Sequence, residues 1–320
     1  MKKRLLVLSS LLTVLVSAAE DDWVLNNAFA IWGDVAFIRR AEGHEQHIFF
    51  EGQGAQAQSA CNLRTLISHF NYEPGFRVGM AYMTRHTFLE ATYLWVADWD
   101  SSCHRRDPRR INFSENTQNV AGDYANADRG STHFNSQFRN GEINYFFYVT
   151  PRRGNYFSAA WLVGLRYMDF PEHLDIAFVK GANRSTYEID TENHIPAAQV
   201  GATLGWNPTR TLSWDLLAKV GLGFNWCKQH TFMGNQNNTV TLRNYTRSEF
   251  STPLVVAGGL TLTYQPWKFF NLHMSYELIY LNGVATAPVQ INKSRNPSHE
   301  IKSDGYALFH GWLGGVTFSF

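Results

Sequence analysis

Beyond its first 20 residues this sequence has no apolar run near the ~20 residues that a spanning helix needs, which excludes a bundle of transmembrane helices. No charge sign dominates: 28 Lys and Arg stand against 27 Asp and Glu, so a strongly basic nucleic-acid binder is excluded as well. Charge is scarce at 17% of 320 residues while aromatics reach 15%, the opposite of a disordered composition. Cysteine is scarce too. Cys61, Cys103 and Cys227 lie far apart in sequence, so they supply no zinc framework. What remains is room for one globular domain or one barrel.

The N-terminus has a plan of its own. Lys2, Lys3 and Arg4 precede an apolar stretch over 5–16 that is too short to span, and Ser17, Ala18 and Ala19 supply the small residues of a cleavage site. This reads as a secretory signal peptide over 1–19, with no cysteine at the cleavage point to carry a lipid anchor. Its removal leaves 25 basic against 27 acidic residues, a net charge of −2 that makes no statement about a partner. In an exported chain the thiols can oxidise. A Cys61–Cys103 bridge would leave Cys227 free; three unpaired thiols are the alternative.

From about residue 28 the side chains alternate with period 2, the mark of a strand with two unlike faces. Phe157, Ala159, Trp161, Val163, Leu165 and Tyr167 share one face, against Ser158, Ala160, Gly164 and Arg166 on the other. Trp214, Leu216, Ala218, Val220, Leu222, Phe224 and Trp226 repeat the design against Ser213, Asp215, Lys219, Gly221, Gly223 and Asn225. Strands of soluble sandwiches usually run about 5–6 residues. These stripes run 11 to 13 residues, the length of a tilted strand that crosses a bilayer in roughly 9–11 residues between aromatic girdles.

The pattern predicts ten strands, near 28–40, 74–84, 87–100, 132–149, 155–180, 184–206, 211–230, 239–264, 268–282 and 304–320. Tight joints fall at 84–86, 151–154, 207–210 and 265–268. They alternate with long joints at 41–73, 101–131, 231–238 and 283–303, with one short exception near Gly181. That sidedness predicts an all-β fold: an antiparallel up-and-down transmembrane β-barrel filling 20–320, with short periplasmic turns and long outside loops near 41–73, 101–131 and 283–303. The chain ends with Trp312, Val316, Phe318 and Phe320 at alternate positions, similar to the C-terminal signal read by the barrel-assembly machinery of bacterial outer membranes.

The stretches AWLVGLRYMDFPEHLDI (160–176), TENHIPAAQVGATLGW (191–206), LSWDLLAKVGLGFN (212–225), SYELIYLNGVATAPVQ (275–290) and PGFRVGMAYMTRHTFLEATYLW (74–95) are informative together. They resemble a porin-like outer-membrane β-barrel family common in planctomycetes and chlamydia-related bacteria. The resemblance covers most of the chain from 74 onward and leaves 41–73 and 101–131 unmatched. It implies a fold, the outer membrane as address, and a disulfide-linked envelope partner as one fate of an unpaired thiol. It carries no catalytic residue and no cofactor.

The lumen face of this register holds Asp34, Arg77, Glu90, Glu142, Arg166, Asp215, Lys219 and Glu277. Such charges can form a selectivity ring, or they can pair and plug a narrow barrel, since eight strands are just filled by side chains. The first reading makes the chain a porin-like passive channel for small solutes, the function toward which the resemblance leans. The second makes it a non-conducting structural or surface barrel acting through its outside loops. Arg105, Arg106, Arg109 and Arg110 in CHRRDPRR read as lipopolysaccharide phosphate contacts or as a solvated charge run. Asp98, Asp100, His104, His173, His194 and His230 sit at the rim, where ten-stranded outer-membrane proteases hold Asp and His, but the paired motif of those enzymes is missing, so no enzyme is expected. His44, His47 and His69 lack a scaffold for a metal site.

Overall fold

The computed structural model describes residues 27–42, 46–52, 57–84, 86–114, 122–150, 156–293 and 300–320. The signal-peptide reading of 1–19, the turn residues Arg85 and 151–154, and His44 lie outside the described residues.

Among the described residues ten strands close a ring. They are β1 (Asn27–Glu42), β4 (Glu73–Thr84), β5 (Thr87–Asn112), β6 (Ala127–Thr150), β7 (Phe157–Asp169), β9 (Asn183–Trp206), β10 (Leu212–Gly223), β13 (Leu254–Trp267), β14 (Phe270–Val284) and β15 (Gly305–Ser319). Each pairs antiparallel with its neighbour in that order, and β15 returns to β1. The seam is finished by the last residue: Phe29 N donates to Phe320 O at 2.8 Å and Phe320 N to Phe29 O at 2.9 Å. A closed ring leaves no strand edge facing lipid, the condition a spanning sheet must meet.

Five shorter strands extend this wall or its loops. β8 (Glu172–Lys180) continues β7 beyond Phe170 and Pro171, between the upper parts of β6 and β9. Pro171 has no N–H to give to a ladder, and its carbonyl instead accepts from Gln137 N at 3.1 Å. The break does not change the parity, because Arg166, Met168, Phe170, Glu172 and Leu174 are all buried. β11 (Asn225–Gly234) continues β10 beyond Phe224, and β12 (Thr241–Ser251) pairs with β11 and leads into β13. β2 (His47–Glu51) and β3 (Gln58–Asn62) form a hairpin that touches β5, followed by the helix α1 (Leu63–Ser68). Asn62 starts that helix: its Oδ1 accepts from Thr65 N at 2.8 Å.

The outward face shows where lipid ends. Along β9 the outward residues run from Trp206 through Leu204, Ala202, Val200 and Ala198 to Pro196, then change to His194, Glu192, Asp190 and Glu188. Residues 196–206 at ~3.3 Å each, tilted by ~45°, cover roughly 25 Å, the height of a barrel's apolar band. Val163 lies at mid-band and faces outward. Val163→Lys should cost about 2–4 kcal/mol, read as a lower urea midpoint for the barrel refolded in lipid vesicles. An unchanged midpoint would remove Val163 from the lipid face.

The loop expected over 101–131 needs correction. Residues 101–112 belong to β5 and 127–131 to β6, paired through contacts such as Cys103 with Thr132. The hairpin stands above the lipid band, where both faces of a strand can be polar or loop-covered. The apolar stripe used to place strand ends therefore stops at Trp95, well before the pairing does.

Candidate functional site: the closed lumen

The parity that sends Val163 outward sends the polar residues inward, and two networks form at the barrel's waist. In the first, Arg77 joins two carboxylates: Nε to Asp34 Oδ2 at 2.5 Å and Nη1 to Glu277 Oε1 at 2.5 Å. His273 Nε2 meets Asp34 Oδ1 at 2.5 Å. Asp34 and His273 are on strands flanking β15, and both register opposite Gly315. A Cβ at Gly315 would collide with Asp34 Oδ1 and the Gly33 carbonyl, so glycine opens the gap through which the two side chains meet.

The second network is centred on Glu142. Its carboxylate accepts from Arg166 Nη2 at 2.5 Å, Lys219 Nζ at 2.6 Å, Asn140 Nδ2 at 2.9 Å, Gln199 Nε2 at 3.0 Å and Asn144 Nδ2 at 3.1 Å. Glu142 and Arg166 are direct cross-strand partners. Asn144 and Gln199 bond at 2.6 Å across Gly164, the same glycine-gap device. Glu90 accepts from Asn144 at 3.1 Å, and Asp215 lies opposite Gly205 on the lumen side. All eight predicted lumen charges thus lie on the inner face, and seven of them join these two networks.

Above the waist the lumen is apolar. Side chains from the barrel wall and from a lid made of β2, β3 and α1 form one buried cluster that includes Ile38, Trp99, Phe138, Phe170, Ile195 and Phe309. Phe138 stacks on Phe309 with ring centroids 4.3 Å apart, and Phe70 on Phe134 at 5.5 Å. Leu63, Leu66 and Ile67 of α1 are buried in the same cluster. Residues 285–291 also fold in, through a single turn at Ala287–Gln290 with all four residues buried.

At this level Arg40 and Glu172 form an ion pair with both side chains at 0% exposure. The Arg40 guanidinium lies 5.2 Å from the ring centroids of both Phe134 and Phe170. Arg40 Nη1 also donates to Ser136 Oγ at 2.8 Å, and Glu172 Oε2 accepts from Ala287 N at 2.8 Å. This pair ties β1, β6 and β8 to the inserted loop. Sequence reasoning missed both residues, although each has the lumen parity: Arg40 follows Asp34 by six, and Glu172 follows Arg166 by six. His273 was missed in the same way, four residues before Glu277.

The rim candidates lie on the outward face above the lipid band. His173 Nδ1 meets Asp190 Oδ1 at 2.6 Å, and His230 Nδ1 approaches Asp190 Oδ2 at 3.4 Å. The hydrogen bond to Asp190 raises the pKa of His173, and the same bond holds the Asp190 carboxyl below its usual range. These residues line a groove of about 300 Å³ beside Pro171, with Lys228 and Glu192. His194 lies 3.2 Å from Asp169. Asp98 and Asp100 accept from Gln137 and Asn135 at 3.0 and 2.9 Å. His104 is exposed on β5. Asp190 carried no motif that singled it out. Its even-numbered place on β9, opposite His173 and His230, became visible only with the register.

The remaining candidates separate. Arg105 Nε donates to Ala60 O at 3.2 Å, Arg110 pairs with Asp128, Arg106 is exposed, and the Arg109 side chain lies outside the described residues. His47 Nδ1 meets Ser59 Oγ at 2.8 Å and His69 is exposed. Among the described residues no three His, Cys, Asp or Glu side chains are placed to hold a metal ion. Trp312 and Phe318 face outward on β15, and Val316 shares their parity. Cys61 and Cys103 are both buried where the lid meets the wall, and Cys227 is buried elsewhere with Ala285 and Ile301.

A sequence profile described as "Putative beta barrel porin-7" matches residues 109–304, more than half of the chain. The chain belongs to that family. As a member of the beta barrel porin-7 family it is an outer-membrane β-barrel protein of the bacterial cell. Among solved structures it is similar to the outer membrane protease OmpT from Escherichia coli, at 6% identity and a TM-score of 0.53, covering 95% of this chain and 100% of that one. That likeness is one of fold. The translocator domain of the autotransporter NalP from Neisseria meningitidis follows at 12% identity and a TM-score of 0.32, covering 100% of this chain and 95% of that one. Ail of Yersinia pestis, solved with a heparin analogue, shares 11% identity at a TM-score of 0.27, covering 92% of this chain and 99% of that one. No curated protein matches the sequence.

Proposed function

We propose that this porin-7 barrel is a non-conducting outer-membrane protein that acts through its outside surface. That surface would contact lipopolysaccharide, other envelope components or external macromolecules. The observation that carries the reading is the burial of the Glu142 network at the waist. Glu142, Arg166, Asn144 and Gln199 are inward-facing, polar and only 7%, 4%, 1% and 4% exposed. Side chains that line a water-filled pore are solvated; these are bonded to one another, below an apolar layer that no hydrated solute crosses cheaply. The passive-channel reading keeps the same barrel and requires the waist networks to part as well as the lid to leave.

Swelling of liposomes in an osmotically matched sugar or salt separates the two. Vesicles holding the folded barrel are expected to swell no faster than empty ones. A variant with residues 47–70 replaced by a short glycine–serine linker should swell no faster either, because the waist networks contain no residue of that segment. Solute-dependent swelling with the intact chain would establish the channel instead.

A further inference from the structure

Cys61 is the next-to-last residue of β3 in the lid, and Cys103 lies in the part of β5 that stands above the lipid band. The pair is separated by 42 positions in sequence, yet both thiols lie in one buried cluster. Cys103 Sγ is 3.9 Å from the carbonyl of Ala60, the residue before Cys61, and Arg105 Nε holds that same carbonyl at 3.2 Å. Both side chains are buried in the cluster that fills the upper lumen, at 2% and 6% exposure. Their chemistry is unequal. The neighbouring Cys61, with help from the Arg105 charge, lowers the Cys103 thiol, while the neighbouring Cys103 and burial raise that of Cys61. Cys227 has a different environment, with Sγ 3.2 Å from the Glu249 carbonyl on the neighbouring strand.

We propose that Cys61 and Cys103 form an intramolecular disulfide that fastens the β2–β3–α1 lid to the barrel wall, leaving Cys227 as a thiol. An outer-membrane chain passes through the periplasm, where disulfides form and persist. The oxidant is a protein disulfide of an exported thiol oxidoreductase. The Cys103 thiolate attacks one carrier sulfur, forming a mixed disulfide and releasing a carrier thiolate. Deprotonated Cys61 then attacks Cys103 Sγ and displaces the second carrier thiolate. Two electrons pass to the carrier, and the two protons from the cysteines leave with them to give its dithiol. The bond closes as the lid reaches the wall, and packing then shields it from reductants. Its existence does not depend on what the outside surface contacts or on whether the lumen conducts.

The test is peptide mapping of protein extracted from outer membranes without reductant and denatured in excess alkylating reagent. The expected result is a cross-linked peptide pair containing Cys61 and Cys103, with Cys227 alkylated. Reduction should lower the temperature at which the folded band is lost on a heat-modifiability gel. Cys61→Ser and Cys103→Ser should each reproduce that drop without reductant, and Cys227→Ser should leave it unchanged. Full alkylation of all three cysteines, or a cross-link through Cys227 or to another protein, would overturn the proposal.

Discussion

Glu142→Ala is expected to destabilise the folded barrel by about 3–5 kcal/mol, because it leaves buried cations without a counter-charge. Arg166 and Lys219 converge on this one carboxylate, and the Arg166 side chain is 1% exposed. Three amide side chains donate to the same group, so the loss spreads over four strands. Glu142→Gln should recover only part of the loss, since it restores volume and an acceptor but no charge. The measurement is the urea midpoint of the barrel in lipid vesicles. The size of the effect also reports on the lumen. A solvated pair contributes only about 0–1 kcal/mol, so a loss below about 1 kcal/mol would mean that water fills the waist.

The second large effect is expected at Arg40. Arg40→Met leaves Glu172 buried with no cation, again a cost of about 3–5 kcal/mol. Adding Glu172→Leu removes the orphaned charge. The double variant should therefore be more stable than Arg40→Met alone, with a coupling of about 0.5–3 kcal/mol in the cycle. The full stability need not return, because Ala287 N loses the acceptor it has in Glu172 Oε2. Among the described residues Arg40 Nε and Nη2 have no hydrogen-bond partner, so the aromatic faces of Phe134 and Phe170 are what the guanidinium plane meets. Strict additivity of the two substitutions would contradict the pairing. Because this ion pair ties the wall to the inserted loop, both single variants should also loosen that loop.

The barrel was legible because lipid imposes one rule on all ten strands. Apolar side chains must alternate outward for about 11 residues, whereas a soluble sheet needs a stripe only about half as long. The same parity placed Asp34, Arg77, Glu142 and Arg166 on the lumen side, and the register then set Glu142 opposite Arg166 and Asp34 opposite Arg77. Legibility stopped where lipid stops. Above the band β5 continues through Ser102, His104 and Arg106 with a polar outward face, and the sequence there looks like a loop. The lid was illegible for another reason. Its α1 is only six residues long, and its place is fixed by long-range contacts such as Phe70 on Phe134. No local periodicity encodes those contacts. Arg40 and Glu172 stand between these cases: parity points both inward, but only the register brings β1 and β8 residues together across the lumen. The His173–Asp190–His230 row on the outer wall is likewise a product of register, with one partner from each of β8, β9 and β11.

The central claim is that the folded barrel is closed, and single-channel recording of the folded, oxidised protein in a planar bilayer tests it most directly. A gel-shift control shows in parallel that the inserted protein is folded. A flat trace is expected for the intact chain and also for the variant that lacks residues 47–70, because the waist networks contain no residue of that segment. Stable steps from the intact chain, with a conductance that changes on Lys219→Gln, would contradict it and make the Glu142 network the selectivity ring of an open channel.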